Sequence, residues 1–290
     1  MTAEGCRPEL PALPIVDAHI HFWDMARLSY PWLSDAPSLP ARADAMLFDQ
    51  ATNRLPGDVM VGGLVVVQAE CDPDQADSEV FWILTQRALG APIAGVVAFA
   101  PLEDAGATDV LDRYAGLGIV KGIRRNIQDE APGFWRRLTP GVRSLADYGL
   151  SFDLCVREHQ LSEAIELVDA APDTRFVLDH LGKPSVGSPH WADWAGTITD
   201  LASRPNVHCK LSGLGTEAPP NWTLADVAPY IRHAVEEFGI HRVMFGSDWP
   251  VCAAAGSYRG WLETVASLVT SHQDRVFAHN ATAFYRLDQG

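Results

Sequence analysis

Eight short apolar runs, each followed by a stretch of helical spacing or a turn, narrow the folds open to this sequence more than any other feature. They cover 15–22, 61–70, 93–102, 119–126, 150–157, 176–182, 207–213 and 243–250. Each is rich in Val, Ile, Leu or Phe and too short for a buried helix. Near-continuous apolarity suits parallel strands covered on both faces. Between the runs, Val227, Ile231, Val235 and Phe238 mark one face of a helix over 226–238. Thr223 and Asp226 form its capping-box start, and Gly239 its stop. Segments 75–89, 160–170 and 257–271 follow the same spacing. Eight unbroken β/α units predict an α/β fold of (β/α)₈ TIM type, one domain over 1–290, with its active site at the C-terminal ends of the strands. A doubly wound sheet is the alternative, but no glycine-rich phosphate loop accompanies it.

Charge and cysteine usage narrow the function classes. A formal net charge of −15 repels a phosphate backbone or an anionic membrane surface, so neither nucleic acid nor membrane is the expected partner. The five cysteines, Cys6, Cys71, Cys155, Cys209 and Cys252, are scattered and show no CxxC spacing, which points to a reducing compartment. The opening MTAEGCRPELPALP lacks the basic and apolar regions of a secretory signal. No apolar run reaches the roughly 18 residues of a membrane span. The expectation is a cytoplasmic chain; a homo-oligomer is left open.

Polar residues then gather at the strand ends. Strand one closes in His19-Ile20-His21, strand six reaches Asp179-His180, and strand eight closes in Ser247-Asp248. Period-two alternation puts Asp17, His19 and His21 on one face and Ala18, Ile20 and Phe22 on the other, so the histidines are expected to point into the barrel. Burying such groups singly is costly, and three separate strands bring them to one end. No GxSxG elbow, HExxH pair, P-loop or dinucleotide fingerprint competes with them.

These residues lie within longer stretches, VDAHIHFWD (16–24), YPWL (30–33), VKGIRRN (120–126), GLSFDLCVR (149–157), FVLDHLGKP (176–184), CKLSGL (209–214), MFGSDWPV (244–251) and NATAFYRL (280–287). In them the chain resembles the amidohydrolase superfamily, in its branch of sugar-acid lactonases of the L-fuconolactonase and L-rhamnonolactonase type, and more distantly the pyrone lactonases. The resemblance implies a hydrolase that opens a sugar-derived lactone such as fucono-, rhamnono- or galactonolactone. It implies that Asp248 activates water and that His19, His21 and His180 lie at the carbonyl or at a metal. A departure is the lack of a histidine in strand five, where FDLCV stands; His159 falls beyond it. His19, His21 and Asp248 leave three ligands for one divalent ion, zinc by preference, with His180 orienting substrate. Metal-dependent and metal-free catalysis both remain open. The rivals are a metal-dependent decarboxylase of the same superfamily acting on an aromatic or muconate-like acid, and a pyrone-type lactonase.

Around these groups, Gln68 and Glu70 are candidates to bind sugar hydroxyls, as is one of Arg124 and Arg125, since period two aims only one inward. Trp32, with Trp23 and Trp249 near by, offers a flat face for a sugar ring. Lys183 is expected to be solvated on its loop.

Overall fold

The computed structural model describes residues 10–11, 13–53, 55–56 and 59–288; Cys6 lies outside them. Eight parallel strands pair in sequence order: β1 (Ile15–Ile20), β2 (Val61–Val67), β3 (Ile93–Ala98), β4 (Val120–Ile123), β5 (Ser151–Leu154), β6 (Arg175–Leu178), β7 (Val207–Leu211) and β8 (Val243–Phe245). The sheet closes on itself between the end of β1 and the residues just past β8. The Asp248 amide donates to the His19 carbonyl at 2.8 Å, and the His21 amide to the Trp249 carbonyl at 2.8 Å. The expected barrel is therefore formed.

Outside it run α1 (Ala45–Thr52), α2 (Ala76–Ala88), α3 (Ala107–Leu117), α4 (Trp135–Ser144), α5 (Leu161–Ala170), α6 (Trp191–Ala202), α7 (Leu224–Phe238) and α8 (Tyr258–Leu268), with the short α9 (Asn280–Phe284) at the end. The capping box of Thr223 and Asp226 opens α7 as expected. The Ser257 hydroxyl accepts from the Gly260 amide at 3.0 Å to start α8. Among the described residues, no helix is long and apolar enough to cross a membrane, and Cys71, Cys155, Cys209 and Cys252 are free.

Alternation along the strands sorts two cores. Leu64 and Val66 of β2 join Phe152, Leu154 and the helices in the outer layer, while Val65 and Val67 turn inward to Val97, Val177 and Met244. Ala281, Phe284 and Tyr285, from α9 and the residue after it, fill the barrel from its N-terminal end. β1 departs from strict alternation. Its register against β2 slips between Asp17 and Ile20, and Ala18 consequently joins the interior cluster rather than the helix-facing side. Asp17 turns instead to the amides of Ser247, at 2.9 Å, and His19, at 3.1 Å. A one-residue bulge re-aims side chains in this way, and it corrects the face expected for both residues.

His208 sits low in the barrel, its ring 4.7 Å from that of Phe284. Burial first, then Arg242 and Arg175, push its pKa down to about 4. A depressed histidine stabilises the fold above its unfolded value of about 6.5, and that contribution is lost as pH falls towards 4. His208→Gln should therefore lessen the drop in Tm between pH 7 and pH 4.5, by up to about 2 kcal/mol of stability. An equal drop in both proteins, read by thermal melts, would show that this histidine does not resist protonation.

Candidate active site

The apolar runs end earlier than their composition suggests, and the polar residues that follow form turns. β6 stops at Leu178, after which His180, Leu181 and Lys183 take φ of 53°, 55° and 50°. Glu70 (58°) and Asp248 (59°) are also left-handed. Side chains other than glycine adopt this region at a cost, and such residues gather where a site needs a particular aim. Two glycines make room for it. A Cβ on Gly246 would stand 2.8 Å from that of His19, and one on Gly213 would collide with the His180 ring.

The turns bring three imidazoles and a carboxylate together. His19 Nε2 and His21 Nε2 are 3.1 Å apart, and Asp248 Oδ1 lies 3.7 Å from the first and 3.4 Å from the second. The His180 ring centre is 4.4 Å from that of His19, and its Nδ1 is 2.9 Å from the Ser212 hydroxyl. Burial drives His180 down to about 4 and His19 well below its ordinary value, so both rings are neutral at neutral pH. Burial opposes charge on Asp248 as well, but His180, His21 and His19 more than offset it and hold the carboxyl below the usual range. Asp248 is a carboxylate throughout the physiological range.

The donor set also fits a divalent cation. His19, His180 and Asp248 each offer a ligand atom, all within 4.8 Å of one another. Two imidazoles and a carboxylate with open positions are the chemistry of a catalytic zinc site. His180, placed at the substrate from sequence, thus shares in the convergence. The Nε2 of His21 stands at its edge, with its Nδ1 at 2.8 Å from the Val67 carbonyl.

Above these groups opens a cavity of about 290 Å³, lined by Trp32, Glu70, Arg124, Lys183, Glu217 and Asp248 among others. Trp32 is tied down by its indole N–H to the Ala69 carbonyl at 2.7 Å. Gln68 is buried behind Glu70: its Nε2 donates to the Glu70 carboxylate, and its Oε1 accepts from the Glu70 amide at 2.6 Å. Arg124 is the inward arginine. It donates to the Gln68 carbonyl at 2.6 Å and reaches Asp179 Oδ2 at 3.5 Å. Arg125 turns away to Glu103, at 2.7 Å, and Glu130, at 2.5 Å. Trp249 packs edge-on against Phe22 and Phe48, and Trp23 against Trp32, so neither lines the cavity.

Sequence reasoning set Lys183 aside as solvated; it lines the cavity, with Nζ 2.6 Å from Gln128 Oε1. It also passed over Lys210, which is fully buried beneath His19. A lysine inside the apolar run VHCKL, at an inward position, was the available signal, because an ammonium is almost never buried there without partners.

A closed barrel with histidines at the end of its first strand and in the turn after its sixth, and an aspartate in the turn after its eighth, defines the class, and the comparisons define the family. The amidohydrolase family model matches residues 16–287, and the chain belongs to that family. A protein named L-fucono-1,5-lactonase from Burkholderia ambifaria is 34% identical over 288 residues, covering 94% of this chain and 96% of its own. One named L-rhamnono-gamma-lactonase from Scheffersomyces stipitis is 24% identical, covering 82% and 86%. A crystal structure of an amidohydrolase from Burkholderia multivorans with bound zinc superposes with a TM-score of 0.83 at 28% identity, covering 95% of this chain and 100% of that one.

Proposed function

We propose that this chain hydrolyses a sugar-derived lactone to its hydroxy acid, with Asp248 as the base that activates water. The observation that carries the reading is an ionised Asp248 beside the neutral rings of His19 and His180, at the floor of a small cavity walled by carboxylates, amides and two cations. Water between Asp248 and the ester carbonyl gives its proton to the carboxylate as the C–O bond forms. The same proton passes to the ring oxygen as the lactone C–O bond breaks, leaving a free hydroxyl and a carboxylic acid that releases its own proton to solvent. The imidazole of His180 would face the position where negative charge develops on the carbonyl oxygen. A divalent ion, zinc by its donors, would be held by His19, His180 and Asp248, with His21 beside it, and would supply a Lewis acid to that carbonyl. Glu70, Arg124 and Trp32 would bind hydroxyls and a ring face, with Gln68 setting the position of Glu70.

The relatives named for fucono- and rhamnonolactones support this substrate class. The test is a panel of five- and six-membered aldonolactones, scored by acid release, with bound zinc quantified on the same sample. Acid release from at least one aldonolactone is expected. Carbon dioxide release from an aromatic or muconate-type acid, with no lactone opened, would favour the decarboxylase instead.

A further inference from the structure

We propose that Glu79 is a positioning residue: from outside the cavity it holds the Ala69 amide, and through that residue it sets both Trp32 and Glu70 for the substrate. The proposal rests on the lactonase reading for what those two groups bind.

β2 ends at Val67, and the Gln68 amide still donates to the Val97 carbonyl, at 2.8 Å. From there to Glu70, side chains take each polar group of the main chain in turn. The Gln68 carbonyl accepts from Arg124 at 2.6 Å, and the Ala69 amide donates to Glu79 Oε1 at 2.9 Å. The Ala69 carbonyl accepts from the Trp32 indole at 2.7 Å, and the Glu70 amide donates to Gln68 Oε1 at 2.6 Å. Arg124 and Trp32 line the cavity, and Gln68 stands behind Glu70. Glu79 comes instead from the first turn of α2, outside the barrel, and is 1% exposed.

A carboxyl is a costly way to fill that place. Val80 and Ile83, beside it on the helix, are apolar members of the outer core, and a buried carboxyl without partners is unfavourable. Burial pushes Glu79 up to about 7, with the Ala69 amide the largest influence opposing it. Neutral or ionised, the carboxyl keeps an oxygen for that amide, so the clamp does not depend on its titration. The buried Tyr30 phenol lies beside the same carboxyl, and Tyr30 directly precedes the 3₁₀ turn Pro31–Asp35 that carries Trp32.

Two substrate-facing groups thus depend on one alanine. Glu70 is left-handed, with φ of 58°, a conformation that persists only where its surroundings over-determine it. Without Glu79 the Ala69 amide is left buried and unpaired, or must turn to find another acceptor. Turning Ala69 draws its carbonyl from the Trp32 indole and releases the φ of Glu70. Asp248 and His180 stand on other strands' turns and are untouched, so binding suffers and the chemical step does not.

Two variants separate reach from charge. Glu79→Gln keeps the length and the acceptor; Glu79→Asp keeps the charge but falls one methylene short of Ala69. The first readout is hydrogen exchange of the Trp32 indole N–H in ¹⁵N-tryptophan-labelled protein, its signal assigned by loss in Trp32→Phe. Glu79→Asp should exchange about tenfold faster than wild type, and Glu79→Gln at the wild-type rate. On the best aldonolactone, Glu79→Asp should raise KM about tenfold with kcat changed less than about threefold, the mark of lost binding alone. Its preference for the parent lactone over a deoxy analogue should fall, and Glu79→Gln should match wild type in both. Either readout unchanged in Glu79→Asp overturns the proposal, as does a Glu79→Gln as impaired as Glu79→Asp. Glu79→Met, which also lacks the acceptor, takes the place of Glu79→Asp if that variant does not fold; if neither folds, Glu79 is a residue of the fold and the proposal fails. A wild type that opens no lactone refutes the lactonase reading alone, and indole exchange then decides the role of Glu79.

Discussion

Asp248→Asn should reduce turnover of the best lactone by about 10²–10⁴, the usual worth of a positioned general base. The fold and KM should change little. Asparagine keeps the shape, and the backbone bonds that close the barrel at Asp248 do not involve its side chain. What it loses is the charge that would accept the water's proton under the proposed mechanism, in a place where the carboxyl is held ionised by its histidine neighbours. Because Asp248 also stands in the candidate ion site, zinc content should be measured on the variant. Wild-type turnover with unchanged zinc would remove Asp248 from the role of base.

The second large effect concerns the substrate. Glu70, Asn126, Gln128, Asp129, Lys183 and Glu217 all reach the cavity, an unusual density of hydrogen-bonding groups for so small a space. A lactone missing a ring hydroxyl leaves some of these unpaired on binding, and sites of this kind reject such analogues by about 10²–10⁴ in kcat/KM. Pyrone dicarboxylates should be poor substrates. Four of the lining groups are carboxylic acids, and Arg124 is already engaged by the Gln68 carbonyl and Asp179. A panel of deoxy-lactones beside the parent compound measures the first claim, and a pyrone dicarboxylate in the same assay the second. Comparable kcat/KM for parent and deoxy-lactone would mean that the hydroxyls are not bound by the pocket.

The barrel was legible because its signal is periodic and repeated eight times: strands buried on both faces must be apolar, whatever their exact ends. The histidines and Asp248 were legible for the converse reason, as polar groups placed where apolar runs stop. Alternation failed at Asp17 and Ala18, because a bulge is a property of pairing between β1 and β2, not of either strand's composition. It could not choose between Arg124 and Arg125 without knowing where Glu103 and Glu130 lie. Lys210 escaped notice because its three partners come from β1, β5 and the turn after β6. Lys183 was misjudged because its exposure depends on a left-handed turn that brings it back over the cavity.

The seam of the barrel gives the enzyme a timetable. Asp17 and Ser247, joined across that seam, are 230 residues apart in the chain. At 5–20 residues per second, roughly 10–50 s of synthesis separate them. Throughout that interval the nascent chain carries its two leading histidines with neither the acid nor the backbone partners that β8 brings. Contacts so distant along the chain are among the slowest to form. A chain that stops short of β8 lacks Asp248 and the strand that closes the ring.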